Sequence, residues 1–330
     1  MAELVLGIGT SHSPMLNATL EEWSWFEARE PTLKLLDRAG RPATYESLVA
    51  EAAGRYDGET TPAKLAERHA RVHAGLDRLA QAIADARLDA LVVVGDDQKE
   101  LFRDDNLPAL LVYQGATIAH APRRPKPEWV DWFAAIQARY YPDGARVDHP
   151  VARALARHLA AELVEREFDV ATAACLPRDE GEGHAFAFVH RRLLRGRPAV
   201  PIVPVFLNAY YPPNQPTPRR CYRLGRAIRA AVESWPERAR VGVLASGGLS
   251  HFTIDAPFDR SIIRALEAKD ADALMRLPPA KLESGSSEIR NWIVAAGALE
   301  HLPLAWLDYV PAYRSPAGTG TGMCFAAWQA

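Results

Sequence analysis

Three short runs of apolar, largely β-branched residues, 4–8, 90–94 and 241–244, each stop at a polar or glycine-rich turn: Gly-Thr-Ser-His, Gly-Asp-Asp-Gln and Ala-Ser-Gly-Gly. Apolar runs of this length without polar alternation read as strands buried on both faces. A fourth run, 199–207, ends at Asn208 and contains Pro201 and Pro204. Proline inside a strand favours an edge or a bulge. Between the runs, helical patterns cover 62–86, 150–166, 186–194, 219–234, 259–276 and 287–298. Strands alternating with helices predict an α/β fold, a central mixed sheet flanked by helices, with ligands at the carboxyl ends of the strands. Residues 17–61, with Trp23, Trp25, Phe26, Tyr45 and Tyr56, fit neither period and read as a lid or interface segment. No repeat or low-complexity tract divides the chain, so the expectation is one domain over 1–330.

Composition narrows the partner. With 48% apolar and 24% charged residues the chain can bury a full core, and a net charge of -2 leaves no broad basic footprint for nucleic acid or an anionic membrane. A small molecule is the expected ligand. Cys175, Cys221 and Cys324 are far apart and form no CxxC pair, which argues against a disulfide framework or a thiolate zinc site. The first residues carry no basic flank, and no apolar run approaches the roughly 20 residues of a membrane span. The expected location is the cytoplasm.

The chemistry-bearing residues gather at the predicted strand ends. His12 lies just past the first run, where the Pro14 that follows Ser13 favours an extended or turn conformation. His251 closes Gly-Gly-Leu-Ser-His after the run at 241–244, and paired glycines allow backbone to approach a bound group. His184, in Glu-Gly-Glu-Gly-His, opens a helix, and Glu288 stands in the first turn of another with Ser286 or Ser287 as expected N-cap. Each has a plainer reading as a turn, cap or dipole residue. Together they supply two histidines and a carboxylate from separate loops, the ligand set of non-haem Fe(II) oxygenases, with one more histidine for acid or base work. His158, His190 and His301, beside helical patterns among charged neighbours, are expected to be solvated or capping.

The sequence resembles the class III extradiol ring-cleavage dioxygenases, the catalytic β subunit of protocatechuate 4,5-dioxygenase with its gallate and 3-O-methylgallate relatives. The resemblance rests on Gly-Ile-Gly-Thr-Ser-His-Ser-Pro at 7–14, Val-Val-Val-Gly-Asp-Asp-Gln at 92–98, His149-Pro150 and the turn with His184. It continues in the run 201–213 leading into Arg-Cys-Tyr-Arg-Leu-Gly, Gly-Gly-Leu-Ser-His at 247–251 and Glu-Ser-Gly-Ser-Ser-Glu at 283–288. It implies that His12 and Glu288 bind Fe(II), that His251 is the catalytic histidine, and that His184 contacts substrate or supports the site. It further implies a catecholic aromatic acid and dioxygen as substrates, a homo-oligomer, and in many relatives a small helical capping subunit, a role that 17–61 could fill here. The family's third iron ligand is a histidine, and the matching position here is Gln98. Three alternatives stand: Gln98 is itself a ligand, His69 or His73 replaces it, or the site has lost its iron. An iron-free binding subunit and a metal-dependent hydrolase or lyase are therefore competing readings.

Overall fold

The structure, a computed structural model, describes residues 1–195 and 200–329. Ala199, where the fourth predicted run begins, lies outside the described residues. The strands in chain order are β1 (Glu3–Thr10), β2 (Leu35–Leu36), β3 (Pro42–Ala43), β4 (Ala90–Asp96), β5 (Leu110–Tyr113), β6 (Thr117–His120) and β7 (Val147–Pro150). They continue with β8 (Ala171–Ala173), β9 (Ile202–Leu207), β10 (Arg240–Ser246), β11 (His251–Thr253), β12 (Leu304–Tyr313) and β13 (Thr319–Trp328).

Nine of these form one sheet in the order β11-β13-β1-β10-β4-β9-β5-β8, with β12 paired to β13. Its centre, β1, β10, β4 and β9, is parallel, while β13 and β5 run antiparallel beside it. The fold is thus the mixed α/β sheet expected. Every residue of β4 is buried, because the strand is paired on both edges and covered on both faces. The carboxyl ends of β1, β4 and β10 lie side by side, which brings the turns holding His12, Gln98 and the paired glycines to one rim of the sheet. The two faces carry separate apolar cores. One contains Trp292 and Ile228, and the other Val72, Leu76 and Phe186.

Two expectations need correction. β9 is an interior strand, not an edge: its pairing with β5 ends at Val205, one residue short of Pro204, so the missing N–H falls just beyond that ladder. The predicted helix over 259–276 is two helices, Ala256–Glu267 and Ala271–Met275, broken at Lys269, which takes a positive φ of 52°. The remaining helices follow the periodicity, with Pro62–Asp85 burying Leu65, Val72, Leu76, Leu79 and Ile83 on one stripe. No helix among the described residues is long and apolar enough to cross a membrane.

Residues 17–61 are tied to the rest of the chain by contacts that include Arg139 and Tyr313. The helix Leu20–Trp23 starts at Thr19, whose side chain and that of Glu22 cap each other's backbone. Trp23 and Phe26 are buried, and the Trp23 indole donates to the Met15 carbonyl at 2.8 Å. Glu22 clamps the Arg139 guanidinium through two bonds of 2.5 and 2.6 Å, and Tyr56 packs on Tyr313. The Arg139 hydrogen bonds, opposed by burial, hold the Glu22 carboxyl down at about 2.

A carboxyl depressed from 4.5 contributes stability that is complete above its unfolded pKa and lost as pH falls toward 2. Glu22→Gln is expected to lower the unfolding temperature at pH 7 by about 2 °C. The gap from wild type should close as the pH is taken below about 3. Thermal scans of both proteins across that range check it, and a gap independent of pH would contradict the assignment.

Candidate functional site

His12, Gln98, His184, His251 and Glu288 line one cavity of about 200 Å³ at the carboxyl rim of the sheet. His12 and Glu288 are 3% and 2% exposed, so their polar atoms need partners within the protein.

The orientation of His12 follows from a single hydroxyl. Ser246, the last residue of β10, donates its proton to the Ala185 carbonyl at 2.7 Å, so its oxygen accepts from His12 Nδ1 at 3.0 Å. A neutral imidazole with Nδ1 protonated turns a bare Nε2 lone pair the other way. That nitrogen is 3.4 Å from Glu288 Oε2 and 3.9 Å from Asp96 Oδ1. Among the described residues neither His12 Nε2 nor Asp96 Oδ1 has a hydrogen-bond partner. Leaving such atoms buried and unpaired costs about 1–3 kcal/mol each. A cation among them removes the cost, and one nitrogen with two carboxylates suits a first-row divalent ion. His12, Asp96 and His184 can also each direct one donor atom to within 4.8 Å of the others.

Glu288 ends a tight turn, Ser284–Glu288, that runs into the helix Ile289–Ala298. Its Oε2 accepts the Gly248 N–H at 2.7 Å, while Oε1 is 3.3 Å from both Gln98 Nε2 and His251 Nε2. Burial works against the charge, yet His251 holds this carboxyl well below its ordinary range. Burial and the Glu288 charge raise Asp96 instead. Gln98 bridges the two acids, donating also to Asp96 Oδ2 at 3.2 Å.

The glycines of both motifs answer to these contacts. Gly247 has φ 156°, and a Cβ there would lie 2.8 Å from the Glu288 Cβ; at Gly285 it would lie 2.1 Å from the His251 ring. Ser286 accepts the His251 N–H at 3.1 Å, and neither Ser286 nor Ser287 caps the helix, which corrects the expected N-cap. His251 Nδ1 donates to the Leu249 carbonyl at 2.8 Å, leaving Nε2 toward the cavity.

His184 opens the helix His184–Phe188, and both its N–H and Nδ1 bond Glu100 Oε2 at 2.8 Å. Burial opposes the imidazolium, but the Glu100 carboxylate raises His184 to about 9. Asp97 does not face the cavity: it accepts the Leu101 and Phe102 N–H groups and shapes the turn after β4.

Residues 58–323 match the family described as the catalytic LigB subunit of aromatic ring-opening dioxygenase. The chain belongs to this family. The match contains Gln98, His184, His251 and Glu288, while His12 lies ahead of it. A gallate dioxygenase of Pseudomonas putida is 40% identical over 100 residues, 30% of this chain and 28% of that protein. A 2,3-dihydroxyphenylpropionate/2,3-dihydroxicinnamic acid 1,2-dioxygenase of Comamonas testosteroni is 33% identical over 101 residues, 31% of this chain and 30% of that protein. The matched stretch thus spans less than a third of either curated relative.

In this LigB-family chain, His69 and His73 do not reach the cavity. They bond each other at 3.1 Å, and their outer partners are the Ala18 carbonyl and Arg192, so the alternative that placed them at the third ligand position fails. Arg314 is 5% exposed and lies 3.1 Å from Glu30. Sequence reasoning missed Arg29, which reaches the cavity over the Phe133 ring at 3.5 Å and makes no ion pair among the described residues. Burial and Arg314 lower it to about 10.

Ser246→Ala removes the group that turns His12 while leaving every atom of the cation nest in place. Anaerobic titration with Co(II) is expected to show an affinity loss of about 10–100-fold. Undiminished affinity would mean that the hydroxyl does not orient the imidazole.

Proposed function

We propose that this protein is an Fe(II)-dependent dioxygenase that opens the ring of a catecholic aromatic acid beside its vicinal hydroxyls. The observation that carries the reading is the bare His12 Nε2 facing Asp96 and Glu288, in a cavity that also holds Arg29. Membership of the LigB family supports it, as do relatives described as gallate and dihydroxyphenylpropionate dioxygenases.

His12, Glu288 and Asp96 would hold the ion. Gln98 is read as the neighbouring amide rather than the third donor, because its nitrogen and not its oxygen faces the two carboxylates that would hold the ion. When bound, Fe(II) supplies a Lewis-acidic centre that acidifies a catechol hydroxyl and takes up dioxygen. His251, its Nδ1 fixed by Leu249, presents Nε2 to the cavity and accepts the hydroxyl proton there. His184, its Nδ1 tied to Glu100, offers Nε2 as a contact for substrate oxygen. Arg29 binds the substrate carboxylate, and Trp129, Phe133 and Phe252 flank the ring and exclude water. Segment 17–61, which delivers Arg29, serves as the cap over the site.

Protein reconstituted anaerobically with Fe(II) is expected to consume oxygen with gallate, protocatechuate or 2,3-dihydroxyphenylpropionate. Arg29→Met should raise KM for these acids by about 10–100-fold, the worth of a charge-assisted hydrogen bond, and leave unsubstituted catechol unaffected. No oxygen uptake from iron-loaded protein would overturn the reading. Turnover without oxygen would assign a hydrolase or lyase instead. Gln98→His should tighten iron binding by about tenfold, by adding an imidazole donor.

A further inference from the structure

A second cluster of histidines lies outside the cavity around His12 and shares no residue with it. His120 ends β6 and His149 lies on β7, antiparallel neighbours in a two-stranded sheet. Glu182 and His190 come from the turn before the helix His184–Phe188 and from the π-helical turn Val189–Leu193 that follows it. The four can each direct one donor atom to within 4.8 Å of the others.

The carboxylate is fully buried, and its Oε1 accepts from His120 Nδ1 at 2.8 Å and His190 Nδ1 at 2.7 Å. Among the described residues its second oxygen has no partner, and neither does His190 Nε2 on a ring 6% exposed. His149 stacks on His190 with ring centres 3.9 Å apart, and both line a cavity of about 290 Å³. Arg191 at its rim is drawn to Asp143 at 3.1 Å, so its charge is already engaged.

We propose that His120, His149, His190 and Glu182 form a second metal site, built for a divalent ion of the zinc class. Three imidazoles and one carboxylate are a complete tetrahedral N3O set, which leaves no position for substrate and marks a structural rather than a catalytic centre. The arrangement explains what a hydrogen-bonded cluster does not. An apolar site would not gather three histidines, and a purely hydrogen-bonded one would not leave a buried carboxylate oxygen and a buried ring nitrogen unmatched. The ion would pin the segment 182–190, which carries His184, to the paired strands β6 and β7.

The test uses the full chain with the first cavity disabled by His12→Ala and Glu288→Gln, stripped with chelator and titrated with Co(II). The double variant is expected to keep about one equivalent, with the intense visible absorption of tetrahedral Co(II) and a raised unfolding temperature. Adding His149→Ala, at a half-buried position on the cavity wall, should abolish both, as should Glu182→Gln where that variant folds. Failure of the double variant to bind Co(II), or binding that survives both His149→Ala and His190→Ala, would overturn the site. Neither result bears on oxygen uptake by the iron-loaded wild type, so the two readings stand or fall separately.

Discussion

The Ser246 hydroxyl has one proton, and the candidate site depends on where that proton goes. Given to the Ala185 carbonyl, it leaves the oxygen to accept from His12, and this one choice turns the imidazole lone pair onto two acids. It also ties three elements together at one atom: the turn after β1, the end of β10 and the helix that begins at His184. The sheet makes that meeting possible, since β1 and β10 are parallel neighbours in register from Gly7 and Val243 to Thr10 and Ser246. A slip of one residue would turn Ser246 to the opposite face.

Two buried carboxylates beside each other are a cost that the fold has to offset. Glu288 is met by the Gly248 N–H, Gln98, Tyr210 and His251, whereas among the described residues Asp96 receives only Gln98 and keeps one oxygen bare. That asymmetry explains why burial leaves Asp96 raised while Glu288 stays ionised. It also gives Gln98 a positive role. A histidine at this position could ligate through one nitrogen, whereas an amide NH2 donates to both acids at once.

Much of this was legible in the sequence because strand ends announce themselves. An apolar run that breaks into Gly-Thr-Ser-His or Ala-Ser-Gly-Gly places a polar turn at the rim of a sheet, and the parallel order then gathers such turns. β12 and β13 were not foreseen. β13 is buried at every position and mixes Gly, Thr and Ala with larger residues, so neither alternation nor a β-branched run marks it. Arg29 was hidden because its segment fits no period, and its meaning comes from Phe133, more than a hundred residues away. His190 was misread as solvated or capping because charged neighbours in sequence, Arg191 and Arg192, say nothing about a ring turned inward onto Glu182.

The account turns on a cation lying between His12, Asp96 and Glu288. The most direct measurement is a crystal structure of the anaerobic, Fe(II)-loaded protein with anomalous scattering recorded on both sides of the iron edge. The account predicts an iron peak bonded to His12 Nε2 and to an oxygen of each acid, with Gln98 nitrogen still facing the carboxylates. An iron bound through the Gln98 oxygen with Asp96 free, or no iron at His12 at all, would contradict it.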